Sequence, residues 1–177
     1  MSKNKMRLKG FGFTLREWHT DDAASLQQHA DNPNIYSFLL DRFPHPYTME
    51  AAIGWVNMML DQNPQVNFVI DVDGKAVGVI GLEIREDVYR KTALLGYWIS
   101  ETLWGRGIMP QAIKLITAYA FENLGLIRIQ AGVLSNNPRS MRVLEKAGFT
   151  MEGVLKNNII KNGAVLDEHI YAVLKHF

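Results

Sequence analysis

No cysteine occurs among the 177 residues. That excludes a disulfide scaffold, thiol catalysis and a cysteine-ligated zinc. A run of about 18 apolar residues is also missing, so no membrane-spanning helix and no membrane partner are expected. The N-terminus carries charges but no apolar core segment, which argues against a secretion signal and for a cytoplasmic protein. Neither sign of charge dominates: 19 basic and 18 acidic residues leave a formal net charge of +1. Such a balance argues against nucleic acid as the main partner. The only basic cluster, Lys3, Lys5, Arg7 and Lys9, reads as a solvated, flexible arm over residues 1–9. The histidines at 19, 29, 45, 169 and 176 have no metal-ligand spacing, so no metal is expected. Repeats, low-complexity tracts and dividing linkers are absent as well. Residues 1–177 therefore read as a single domain, monomeric or homodimeric.

Apolar residues make up 47% of the chain, enough for a packed core. Phe11, Phe13 and Leu15 alternate as in a half-buried strand. A short helix follows Thr20-Asp21-Asp22 and is bounded by Pro33. Thr48 can cap a second helix through about Leu60. Asp73-Gly74 and Asn162-Gly163 are hairpin turns between apolar runs. A helix fits from Pro110 to about Leu124, and another from Pro138 to a C-cap at Gly148. The order is strand, two helices, three antiparallel strands, helix, strand, helix, two strands. That is a mixed α/β or α+β domain.

The stretch Trp104-Gly-Arg-Gly-Ile-Met-Pro-Gln-Ala112 follows the apolar strand Leu94-Leu-Gly-Tyr-Trp-Ile-Ser100. Strand, glycine-rich turn, helix start is a phosphate-binding geometry. The first N–H groups of a helix have no intrahelical partner, and the dipole favours an anion there. The same residues also read as a tight turn without a ligand. The third glycine of a dinucleotide fingerprint is replaced by Pro110, and the Gly-Lys-Ser/Thr of a P-loop is absent. A dinucleotide oxidoreductase is thereby set aside. A second stretch, Asn136 to Phe149, follows the next strand. There Asn137 and Ser140 flank the first turn of a helix, where both can approach one ligand; an Asn cap followed by an ordinary helical Ser is the other reading.

Together the two stretches resemble the GNAT superfamily of N-acetyltransferases, and the element order resembles it over nearly the whole chain. The phrases Gly96-Tyr-Trp-Ile99, Trp104-Gly-Arg-Gly-Ile-Met109, Asn136 to Phe149 and Glu152-Gly153 are similar to the branch named after ribosomal-protein alanine and serine N-terminal acetyltransferases. The resemblance implies a mostly antiparallel twisted sheet of about seven strands flanked by about four helices. It implies acetyl-CoA as co-substrate and an amine as acceptor. Gly105, Arg106, Gly107, Ile108 and Met109 match the pyrophosphate loop. Asn137 and Ser140 match the helix that meets the pantetheine arm. Trp98, Ile99 and Ser100 lie on the strand that splays from its neighbour, where the pantetheine amides pair like an added strand. Phe43, His45, Tyr47 and Tyr97 are expected to border the acceptor.

The sequence also departs from that family. Leu94 stands where many members carry a glutamate base, and Leu144 where many carry a tyrosine acid. In this branch a serine at the position of Ser140 is proposed to serve the leaving thiolate. Only a neutral amine attacks a thioester. A protein α-amine, of pKa about 7.7–8.0, reaches that form more easily than an alkylamine near 10.4, by about 3 kcal/mol. Glu83 is the first replacement expected for the base, since it alternates with Leu82 and Ile84. Asp167, Glu168 and His169 come next. The expected activity is acetyl transfer from acetyl-CoA to a primary amine by direct attack. A non-catalytic acyl-CoA sensor on the same fold is the alternative.

Overall fold

The computed structural model describes residues 6–176. Strands β1 (Arg7–Gly10) and β2 (Phe13–Arg16) lead into helices α1 (Asp22–Ala30), α2 (Pro33–Tyr36) and α3 (Met49–Met59). Then come β3 (Asn67–Val72), β4 (Lys75–Ile84), β5 (Thr92–Ile99), α4 (Ile108–Asn123), β6 (Arg128–Leu134) and α5 (Pro138–Lys146). The hairpin of β7 (Thr150–Lys161) and β8 (Ala164–Leu174) closes the chain. All eight strands form one sheet in the order β1-β2-β3-β4-β5-β6-β8-β7. Every neighbouring pair is antiparallel except β5 with β6.

This is the mixed α/β fold that was expected, with one more strand and one more helix. The extra strand comes from the basic segment. Arg7 and Lys9 point to solvent while Leu8 packs against the core, so the charges ride on a strand paired with β2 and not on a loose arm. Lys3 and Lys5 lie outside the described residues. The extra helix is α2. Pro33 does not simply bound α1; it opens a new turn, which the Asn32 side chain caps by accepting from Asn34 N. Helix α4 starts two residues before Pro110, because Gly107 at φ 74° lets the chain enter it directly from the turn.

Alternation along the central strands builds two apolar layers. Phe68, Ile70, Leu95 and Ile99 face α4 and α5, with Ile113 and Ile116 among them. Val69, Val79 and Trp98 face α1 to α3, with Leu26, Ala52 and Val56. Buried Arg16 fastens the second layer. Its guanidinium gives Asp22 two hydrogen bonds, of 2.8 and 2.7 Å, and Asp71 one of 2.5 Å, joining β2, α1 and β3. Among the described residues no helix is long and apolar enough to cross a membrane.

Candidate active site

The parallel pairing of β5 with β6 covers only residues 92–94 and 128–130, although β5 runs on to Ile99 and β6 to Leu134. Beyond Leu94 the two strands part and leave a notch at the centre of the sheet. Parallel strands that diverge expose backbone N–H and C=O groups along the gap, which an extended amide-bearing ligand can pair with. Gly96 lies on this edge, exposed and with open space over it.

The glycine turn stands at one end of the notch. Gly105 (φ 76°) and Gly107 (φ 74°) are both left-handed, and the space where a Cβ would sit is empty at each. Side chains rarely adopt that backbone, and here their absence leaves the approach to the first turn of α4 bare. Unpaired N–H groups and the positive end of the dipole make that turn fit a pyrophosphate. Arg106 is exposed, whereas Ile108 and Met109 are buried in the core, so the last two can meet a ligand only through their N–H groups. Trp104 fixes the turn from behind. Its indole N–H donates to Ile99 O at 3.0 Å, and the Arg139 guanidinium lies 4.8 Å over its ring.

Asn137 caps α5 by accepting from Ser140 N at 3.2 Å, which brings Ser140 onto the first turn. The Ser140 hydroxyl lies 2.6 Å from the Tyr97 hydroxyl. Burial pushes the Tyr97 phenol up to about 12, against the opposing effect of the Ser140 hydrogen bond, so it is a protonated donor at neutral pH. Leu144, the place of the missing acid, is fully buried.

The other expected site residues differ in what their side chains do. Ser100 is buried and already committed: its N–H donates to Val77 O, and its hydroxyl meets His29 Nδ1 and Thr102 Oγ1, each at 3.0 Å. Trp98 and Ile99 bury their side chains on opposite faces, leaving only their backbone edge for a ligand. The four residues expected around the acceptor are divided. Tyr97 faces the α4–α5 side with Ser140. Tyr47, at 4% exposure, belongs to the core, and desolvation pushes its phenol up to about 12. Phe43 is half-buried against the α1–α3 core, 4.8 Å from the Tyr47 ring and 5.9 Å from Trp98. His45 stacks on Tyr36, 5.0 Å between centroids.

On the α1–α3 face, Glu83 is the cross-strand neighbour of Leu94. Its carboxylate therefore stands beside the position where a base is missing. That side chain is 63% exposed and reaches Arg42 at 3.4 Å. Of the second group of candidates, Asp167 holds Lys156 at 2.9 Å and Asn157 N at 2.9 Å, and these bonds keep it below the usual carboxylate range. His169 has a buried Nδ1 with no described partner. Glu168 takes a hydrogen bond from Asn158. Lys161 was not foreseen. At the hairpin tip it is 5% exposed, ion-paired to Asp41 at 2.7 Å and 3.7 Å over the Tyr36 ring. A lysine next to Asn-Gly reads as solvated; only the fold brings α2 over it. Among the described residues no three His, Asp or Glu side chains gather as for a metal. Surface hollows of about 330 and 350 Å³ lie by Phe11 and Lys114 and by Arg16 and His19, and neither is lined by the glycine turn, Asn137 or Ser140.

Known proteins resemble this chain in sequence and fold. Residues 13–150 match the family model described as Acetyltransferase (GNAT) domain. The probable N-acetyltransferase YjcK of Bacillus subtilis (strain 168) is 34% identical over 174 residues, 94% of this chain and 96% of that protein. The ribosomal-protein-serine acetyltransferase of Escherichia coli (strain K12) is 33% identical over 117 residues, 66% of this chain and 65% of that one. The crystal structure of spermidine N-acetyltransferase from Vibrio cholerae in complex with CoA and spermine superposes with a TM-score of 0.76 at 26% identity, covering 92% of this chain and 95% of that one. With its splayed sheet, glycine turn and matched sequence, the chain belongs to the GNAT family of acetyltransferases.

Proposed function

We propose that the protein moves an acetyl group from acetyl-CoA to a primary amine by direct attack, with a protein N-terminal α-amine as the first acceptor to test and a small amine such as a polyamine as the second. The observation that carries this is the left-handed Gly105–Gly107 turn at the head of α4, standing beside the notch that ends at the Tyr97–Ser140 hydroxyl pair. Similarity to the E. coli ribosomal-protein-serine acetyltransferase supports the N-terminal branch, and similarity to the spermidine enzyme supports the polyamine arm. The lack of a carboxylate at Leu94 favours the α-amine, which needs less help to lose its proton. The same reading makes this a cytoplasmic protein, monomeric or homodimeric, without a nucleic-acid or membrane partner.

Acetyl-CoA supplies the activated thioester. The N–H groups of the glycine turn, with Arg106, hold the pyrophosphate. The β5 edge from Tyr97 to Ile99 holds the pantetheine amides and donates an N–H to the thioester oxygen as charge grows there. Ser140 donates to the sulfur. Because the Tyr97 phenol stays protonated, it can donate to Ser140 Oγ and leave the Ser140 proton free for the thiolate. A carboxylate on the α1–α3 face receives the amine proton, Glu83 and Glu168 being the two at hand. The sensor alternative loses ground, since the named relatives are enzymes. The test is release of free CoA thiol from acetyl-CoA with Ser- and Ala-initiated peptides, spermidine and aminoglycosides. Release with one class only names the acceptor; release with none, despite acetyl-CoA binding, would restore the sensor.

A further inference from the structure

Around the notch the α1–α3 face of the sheet is nearly bare. Register places Gly81 opposite Gly96 on β4 and β5. Across the gap, Gly132 and Leu134 of β6 point the same way, because Ile129, Ala131 and Val133 between them pack on the α4–α5 side. Two side chains reach in over these glycines. A Cβ on Gly81 would run into the Asn67 amide oxygen, and a Cβ on Gly132 would run into Glu168 Oε1. Gly96 alone stays open. Glu168 pairs with Leu134 in the β6–β8 register, so it shares that face, and its carboxylate turns back along the strand to lie over Gly132 at the edge of the notch.

Other carboxylates near this face have their oxygens engaged: both oxygens of Glu101 accept from the Asn32 and Asn34 amides, and two more carboxylates meet cations. Glu83 meets Arg42, and Asp41 meets Lys161. Asp167, with Lys156 and His169, points to the other side of β8. Glu168 has no cation within ion-pairing distance among the described residues. One oxygen, Oε2, accepts from Asn158 Nδ2 at 2.6 Å, which fixes the group. The other, Oε1, is the one over Gly132. A half-buried carboxylate, held by a neutral amide and turned to an open glycine floor, suits an incoming ammonium.

We propose that Glu168 is the catalytic base for the acceptor amine. This rests on the amine acceptor proposed above. Oε1 binds the ammonium and takes one proton, and the neutral nitrogen attacks across Gly96. The N–C bond forms and the C–S bond breaks. The proton on Glu168 passes to water. The second proton lost by nitrogen ends on the thiolate, so the products are an N-acetyl amide and the CoA thiol. Asn158 is a positioning residue, holding Oε2 so that Oε1 faces the notch.

The test measures thiol release against pH with whichever of a Ser-initiated peptide, an Ala-initiated peptide or spermidine the wild type acetylates. Glu168→Gln keeps a partner for Asn158 and removes the base. It should lower kcat by 10²-fold or more, abolish the acidic limb of the pH profile and leave the acetyl-CoA Kd unchanged. Glu168→Asp should keep the limb at a reduced rate. Gly132→Ala keeps the charge but displaces it, at little cost to folding, because only the end of a flexible side chain must move. It should lower kcat at least 10-fold, with no further loss when combined with Glu168→Gln. Retention of both rate and limb in Glu168→Gln overturns the proposal, as does loss of the limb in Glu83→Gln alone. A wild type that acetylates none of the three acceptors overturns the amine-transfer reading and this one with it; an active wild type beside an unaltered Glu168→Gln removes Glu168 only.

Discussion

At the scale of single residues, the proposed leaving-group chemistry rests on the hydroxyl of Ser140, 2.6 Å from Tyr97. A hydrogen bond that strengthens as charge develops on sulfur belongs to the transition state, so its loss should lower kcat and spare binding. Ser140→Ala should cost about 1.5–3 kcal/mol, or roughly 10- to 150-fold in kcat, with the CoA Kd held. Steady-state kinetics at saturating acetyl-CoA beside a calorimetric Kd decide it: a raised Kd with unchanged kcat would make Ser140 a pantetheine contact only. The proximity of Asn137 and Ser140 was legible from their spacing around Pro138. The partner Tyr97 was legible as a residue near the cleft but not as the neighbour of Ser140, because which face of β5 it occupies depends on register with β4. Ser100 is a different case. Its position on the strand suggested a ligand contact, yet its hydroxyl is spent on His29 and Thr102, from another helix and another turn.

Among the elements, the strand–turn–helix of β5 and α4 was the most readable, since glycine is needed wherever φ is positive and the chain must be bare. Gly107→Val places a branched side chain at φ 74°, where it is strained whatever the space around it. Acetyl-CoA affinity should fall ten-fold or more, about 1.4 kcal/mol. Arg106→Ala should cost less, because its N–H remains; a larger effect from Arg106→Ala, measured by the same calorimetry, would refute a cradle built from backbone. Strand β1 was hidden for a physical reason: on an edge strand, lysine and arginine on the outer face give the same charge pattern as a solvated arm. The clamp between β2, α1 and β3 was equally hidden, since Arg16, Asp22 and Asp71 meet only in the fold. Asp22→Ala leaves the buried guanidinium of Arg16 half satisfied. Unfolding in urea should show a loss of about 3–5 kcal/mol; a loss under about 1 kcal/mol would mean water reaches the clamp.

For the molecule as a whole, the fold sets a boundary on its pH range as well as on its activity. Tyr97 and Tyr47 are pushed up to about 12, whereas an unfolded tyrosine titrates near about 10. A raised pKa means that the folded state holds the proton more tightly, so the contribution is complete below about pH 10 and is lost as pH rises from about 10 to 12. The urea midpoint should therefore fall more steeply over that interval in the wild type than in Tyr97→Phe; equal slopes would mean that the phenol is solvated. Fold class, strand order around the hairpins and the glycine turn could be read from sequence because they follow from alternation, turn residues and glycine. The notch could not be read from those signals, since it depends on where two parallel strands stop pairing, and neither could the reach of Glu168 and Lys161 from the last hairpin. The central claim is acetyl transfer at that notch. Its most direct measurement is free CoA thiol release from acetyl-CoA and a Ser-initiated peptide, spermidine or an aminoglycoside, run on the wild type and on Gly107→Val at subsaturating acetyl-CoA. The account predicts release with at least one acceptor, reduced ten-fold or more by Gly107→Val and recovered as acetyl-CoA is raised; release that is indifferent to Gly107→Val, or none from a wild type offered every acceptor, would contradict it.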